Sequence, residues 1–107
     1  MPFGLSDNTI DTVRRLLRSC PQLEKAVLYG SRAKGNYKEG SDIDLTLIGA
    51  LLDYTALANL TEAFAESSLP YTVDLSLFDK IENKDLRDHI ERVGVVLYER
   101  AEQGTGR

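Results

Sequence analysis

Ile10, Val13, Leu17 and Cys20 recur at three- and four-residue spacing behind Ser6, with Arg14, Arg15 and Arg18 between them. One apolar stripe on a 3.6-residue period predicts an amphipathic helix, capped by Ser6 and ended by Pro21. The pattern then changes. Lys25–Tyr29 (KAVLY) is a short apolar run closed by Gly30, and reads as a buried strand. Residues 31–41 are polar and contain Gly35 and Gly40, so they are expected to be loop after at most one helical turn at Ser31. Residues 42–48 (DIDLTLI) alternate polar with apolar, which predicts a strand with one wet face and one buried face.

Helical spacing returns over residues 53–67, where Leu57, Leu60 and Phe64 share a face. Residues 71–78 (YTVDLSLF) alternate again, with Val73, Leu75 and Leu77 on one side and Thr72, Asp74 and Ser76 on the other. A short amphipathic helix over residues 83–92 turns Leu86 and Ile90 inward, and residues 95–98 (VVLY) form a last strand. Strands alternating with helices imply an α/β (α+β) fold: a small mixed sheet of about four strands, with helices packed mainly on one face. There is no internal repeat and no linker. One domain over residues 1–107 is expected, with 101–107 a polar, disordered tail.

Composition narrows the classes. A chain of 107 residues, 42% apolar, suits one globular domain with a modest core. No apolar run approaches the roughly 20 residues of a membrane span, and the N-terminus lacks a secretory signal pattern. Cys20 is the only cysteine, which excludes an internal disulfide and a cysteine-cluster zinc site. It is expected to be a buried filler, and a cytoplasmic location follows as the natural inference. The net charge of −4 argues against general nucleic-acid binding through phosphate neutralisation. A single nucleotide remains open, since metal ions and backbone amides can handle its phosphates.

Asp42 and Asp44 stand two apart on a predicted strand, so their side chains leave one face with Cα atoms about 6.6 Å apart. Adjacent carboxylates repel when ionised and invite a divalent cation; Mg²⁺ takes oxygen ligands and keeps positions open for phosphate. An isolated Asp-x-Asp is more often a solvated strand edge, but this one has company. Gly30-Ser31 ends the preceding strand twelve residues before Asp42, where glycine permits close approach of a phosphate and serine offers a hydroxyl and an amide. Arg32 and Lys34 add positive charge. Gly30 to Gly35 also has the outer spacing of a P-loop, but Asn36 and Tyr37 occupy the places of the required Lys and Ser/Thr, so an ATPase of that type is rejected. Asp74 is a third acid on another strand's polar face. If that strand lies beside residues 42–48, the three carboxylates can converge, with Asp74 as base or metal ligand. His89, the single histidine, has no Cys or His partner and reads as an ordinary helix residue.

Taken together, residues 30–49 (GSRAKGNYKEGSDIDLTLIG) resemble the active-site motif of the minimal nucleotidyltransferases in the DNA polymerase β-like superfamily. The shared pattern is Tyr29-Gly30-Ser31, ten intervening residues, then Asp42-Ile43-Asp44-Leu45, with Asp74 matching the third carboxylate. The resemblance implies a nucleotidyltransferase fold. It implies that Gly30, Ser31, Arg32 and Ser41 bind the nucleotide, and that Asp42, Asp44 and Asp74 hold Mg²⁺ and carry catalysis. The expected reaction moves a nucleoside monophosphate, AMP from ATP, onto a hydroxyl. Minimal members of this type also resemble half of a two-component system whose other half is a small all-helical HEPN-type protein. A toxin–antitoxin pair that adenylylates a toxin tyrosine is therefore expected. Transfer to a small hydroxylated molecule, or a subunit that only binds and neutralises its partner, are the alternatives.

Overall fold

The computed structural model describes residues 2–101, so the tail expected over 101–107 lies, from 102 onward, outside the described residues. Ser6 caps the first helix, α1 (Asp7–Arg18), its hydroxyl accepting the Thr9 amide at 3.1 Å. Ile10, Val13 and Leu17 form the buried stripe of α1, and Cys20 is buried in the same core. β1 (Lys25–Tyr29) follows, then one helical turn, α2 (Ser31–Lys34), and β2 (Ile43–Ile48). α3 (Tyr54–Ala65) starts on Asp53, whose carboxylate accepts the Ala56 amide at 2.9 Å. It buries Ala56, Leu60 and Phe64, while Leu57 is only half-buried. β3 (Val73–Leu77) and a 3₁₀ turn (Phe78–Lys80) lead to α4 (Lys84–Val93) and β4 (Val95–Glu99).

The strands form one mixed sheet in the order β3-β2-β1-β4. β1 runs antiparallel to β2 and β4, while β2 and β3 are parallel, as two strands joined by the α3 crossover should be. Alternation separates the two faces. Ala26, Leu28, Ile43, Leu45, Leu47 and Leu77 are buried with the apolar sides of α1 and α3. The opposite face carries Val27 and Tyr29 on β1, Asp44 and Thr46 on β2, and Asp74 and Ser76 on β3.

That second face is not bare. α4 packs against β1 beneath it, and Gly94 comes so close that a Cβ there would lie 2.6 Å from a Val27 methyl. Arg87 fastens α4 to the end of β3, donating to the carbonyls of Phe78 at 2.9 Å and Ile81 at 3.1 Å. The three longer helices are therefore divided two against one across the sheet, with α4 packed on β1. β4 carries a bulge: Ala26 faces Tyr98 and Val27 faces Val96, so Leu97 has no partner in the ladder. Arg14 of α1 takes up the Leu97 carbonyl at 2.8 Å.

Candidate active site

The register of the sheet sets the geometry. Tyr29 of β1 stands opposite Asp44 of β2, and Asp44 stands beside Asp74 of β3. The three residues form one row across the sheet. Asp42 lies just ahead of β2, exposed, where the Ile43 amide already bonds to the Thr72 carbonyl at 2.9 Å. Behind this row Ser76 donates to Thr46 at 3.0 Å, which satisfies a buried hydroxyl beneath the acids.

Electrostatics mark Asp44 as the strained member. Its pKa is raised, first by desolvation, then by the negative charge of Asp74, then by that of Asp42. Tyr29 is also shifted upward, mainly by burial and further by Asp44 and Asp74, while a hydrogen bond with Ser76 works the other way. Among the described residues no group of three or more His, Cys, Asp or Glu side chains forms a ready-made metal cage. The donor set is nonetheless of the hard oxygen type that suits Mg²⁺, and its members repel one another in the absence of a cation.

Gly30 fits against this row. Its φ of 78° is in the left-handed region, and a Cβ there would collide with Oδ2 of Asp44. Both conditions exclude a side chain at this position. The same geometry brings the start of α2 next to the Asp44 carboxylate. Ser31 is half-buried at that start, with its carbonyl accepting the amides of Gly35 and Asn36.

Arg32 and Ser41, both expected at the nucleotide, are bonded to each other. The Arg32 side chain is 2% exposed. It donates twice to the Ser41 carbonyl, at 3.1 and 2.8 Å, and once to the Phe3 carbonyl at 2.8 Å. Its guanidinium also lies over the rings of Tyr37 at 5.3 Å and Tyr71 at 4.9 Å. These bonds tie both ends of residues 32–41 together. The Ser41 hydroxyl accepts the Lys38 amide at 2.9 Å and closes the turn before Asp42. Both residues therefore hold the loop that presents Gly30 and Asp42.

Comparison with known proteins decides the family. Residues 11–103 match the family described as polymerase beta, nucleotidyltransferase. The chain belongs to this nucleotidyltransferase family. A Haemophilus influenzae protein named "Probable protein adenylyltransferase MntA" is 45% identical over 73 residues, which is 67% of this chain and 63% of that relative. The chain thus matches somewhat less than two thirds of that protein's length. A crystal structure of a toxin–antitoxin complex with AMP-PNP contains a chain 31% identical, with a TM-score of 0.68 over 90% of this chain and 75% of that one. A structure of tri-AMPylated Shewanella oneidensis HEPN toxin in complex with MNT antitoxin matches at 26% identity and a TM-score of 0.66, covering 90% of this chain and 74% of its counterpart.

In this member of the nucleotidyltransferase family, two residues adjoin the acids that the sequence does not single out for that place. Tyr29 reads as the end of a buried strand, and only the register places it in the row of acids. His89 reads as a solitary helix residue, yet its Nε2 accepts the Gly30 amide at 3.2 Å. Its ring also stands edge-on to Tyr29, with centroids 6.3 Å apart and planes at 80°. A partner 59 positions away leaves no local signal in the sequence.

Proposed function

We propose that the chain is the catalytic subunit of a protein adenylyltransferase, moving AMP from ATP to a tyrosine hydroxyl on a helical HEPN-type partner. The observation that carries the reading is the register pairing Asp44 with Asp74, with Gly30 packed against the Asp44 carboxylate. The relatives support the choice of nucleotide and partner, since one is named an adenylyltransferase and another was crystallised with an AMPylated HEPN toxin.

Gly30 and the start of α2 receive the triphosphate tail, where the absence of a side chain allows close approach. Asp42, Asp44 and Asp74 would hold Mg²⁺, which supplies charge neutralisation at the phosphates and helps pyrophosphate leave. Asp74 is the exposed end of the row and the natural place for the acceptor. The tyrosine oxygen attacks the α-phosphorus and forms the new P–O bond. The bond to the bridging oxygen between the α- and β-phosphates breaks, and its electron pair leaves with pyrophosphate. The proton of the attacking hydroxyl passes to Asp74 or to water. Positioning and neutralisation account for most of the rate in such a reaction.

The test is incubation of the purified chain with Mg²⁺, ATP labelled at the α- or the γ-phosphate, and a HEPN-type protein that co-purifies with it. Label from the α-position alone should appear on a partner tyrosine and vanish with Asp42→Asn. Label from the γ-position would make the reaction phosphorylation. Label on a small hydroxylated compound would replace the protein acceptor, and binding without any transfer would make the chain a neutralising subunit only.

A further inference from the structure

β1 and β4 pair only as far as Leu28 opposite Val95. On that side of β1, the amide of Gly30 therefore has no strand to bond to. The chain reaches β4 from α4 through Gly94, and that approach places α4 where β4 would have continued. His89 occupies the gap, its Nε2 accepting the Gly30 amide at 3.2 Å. An N–H can only donate, so Nε2 carries the lone pair and the ring proton is on Nδ1.

Two residues are thereby oriented by one imidazole. The hydrogen bond fixes the peptide plane between Tyr29 and Gly30, where the backbone turns to φ 78° and ψ −154°. The imidazole also stands nearly perpendicular to the ring of Tyr29, the neighbour of Asp44 in the row. Rotation of that peptide would swing Gly30 away from the Asp44 carboxylate and redirect the amides that open α2.

We propose that His89 is a positioning residue of the transfer site: by accepting the Gly30 N–H it holds the Gly30–Ser31 turn in the conformation that receives the nucleotide's phosphates. It touches neither nucleotide nor acceptor. The inference rests on the nucleotidyl-transfer reading for its kinetic consequence, but the hydrogen bond can be examined without any reaction.

Three variants of the full chain separate the alternatives. His89→Leu keeps an apolar body against Tyr29 and removes the acceptor. His89→Ala removes both. His89→Gln returns an acceptor oxygen at a similar reach. Amide hydrogen exchange at Gly30, followed by NMR in the chain without ligand, should accelerate about tenfold in His89→Leu and return toward wild type in His89→Gln. With ATP, Mg²⁺ and the partner, KM for ATP should rise about tenfold in His89→Leu with kcat changed much less, and His89→Gln should recover most of it. Unchanged Gly30 exchange in a folded His89→Leu chain would overturn the proposal. So would an unchanged KM in an otherwise active enzyme, or a His89→Gln variant as impaired as His89→Leu. Absence of transfer by the wild-type chain, with Gly30 exchange responding as described, would sink the adenylyltransferase reading and leave the turn-holding bond standing.

Discussion

β2 presents two different molecules to its two sides. Ile43, Leu45 and Leu47 are almost wholly buried under α1 and α3. Asp44, one step along, faces Tyr29 and Asp74 and is held with its pKa raised by burial and by two neighbouring negative charges. The first side is satisfied by apolar contact and tolerates no charge. The second is frustrated in the absence of a cation, and that frustration is what a metal and a triphosphate would relieve. Stability and chemistry are thus divided by the pleat of one strand, and a substitution should report on one side with little effect on the other.

The largest separation is expected at Asp42→Asn. This exposed side chain supports no part of the core, so the thermal transition should stay where it is. Transfer should fall by roughly a thousandfold or more, the scale of losing metal-assisted charge stabilisation. A normal fold with a normal rate would place catalysis elsewhere. Leu45→Ala is the opposite case. Its side chain is fully buried, and the deletion should cost about 2–5 kcal/mol in urea unfolding. Activity per folded molecule should persist in the absence of denaturant.

Arg32→Lys probes the join between the two sides. An ammonium cannot reproduce the forked contact with the Ser41 and Phe3 carbonyls or lie flat over Tyr37 and Tyr71. A loss of about 1–3 kcal/mol is expected from carbonyls left without donors, with a modest rise in KM for ATP as the loop loosens. An unchanged denaturation midpoint would contradict the anchoring role.

Asp44→Asn should give a small change in stability, of opposite sign to those of Leu45→Ala and Arg32→Lys. Because the folded carboxyl has a raised pKa, the folded state holds its proton more tightly than the unfolded state. Wild-type stability without metal should therefore decline as pH climbs from the ordinary carboxylate range through the raised value. The asparagine variant lacks that decline and should melt a few degrees higher at neutral pH, while losing transfer. Calorimetry across this pH window would expose the difference; a variant that melts lower at neutral pH would remove the frustration argument.

The sequence carried much of this division. Alternation in residues 42–48 and 71–78 separates core from acid positions, and the extents of β1, β2 and α1 follow from composition and caps to within a residue or so. Gly30, Ser31, Asp42 and Asp44 are legible as candidates because they are local and their spacing is restrictive. The neighbourhood of Asp74 was legible only as a conditional, since alternation assigns a face but not a strand neighbour. The anchoring contacts of Arg32 are not legible locally, because Phe3, Ser41 and Tyr71 reach it from other parts of the chain. His89 was invisible for the same reason: a helix packed on β1 brings it to Gly30, and no local pattern encodes that approach. The Leu97 bulge, likewise, meets its carbonyl's donor, Arg14, from another element.

The central claim is that the acids on one face of the sheet act together as a single metal-and-nucleotide site. Its most direct test is NMR of the labelled chain with AMP-PNP and substoichiometric Mn²⁺, a paramagnetic stand-in for Mg²⁺. Broadening should centre on Gly30, Asp42, Asp44 and Asp74, fade toward the buried face, and disappear in Asp44→Asn. Broadening centred instead on the exposed acids of α4, Asp85, Asp88 and Glu91, or unchanged by Asp44→Asn, would contradict it.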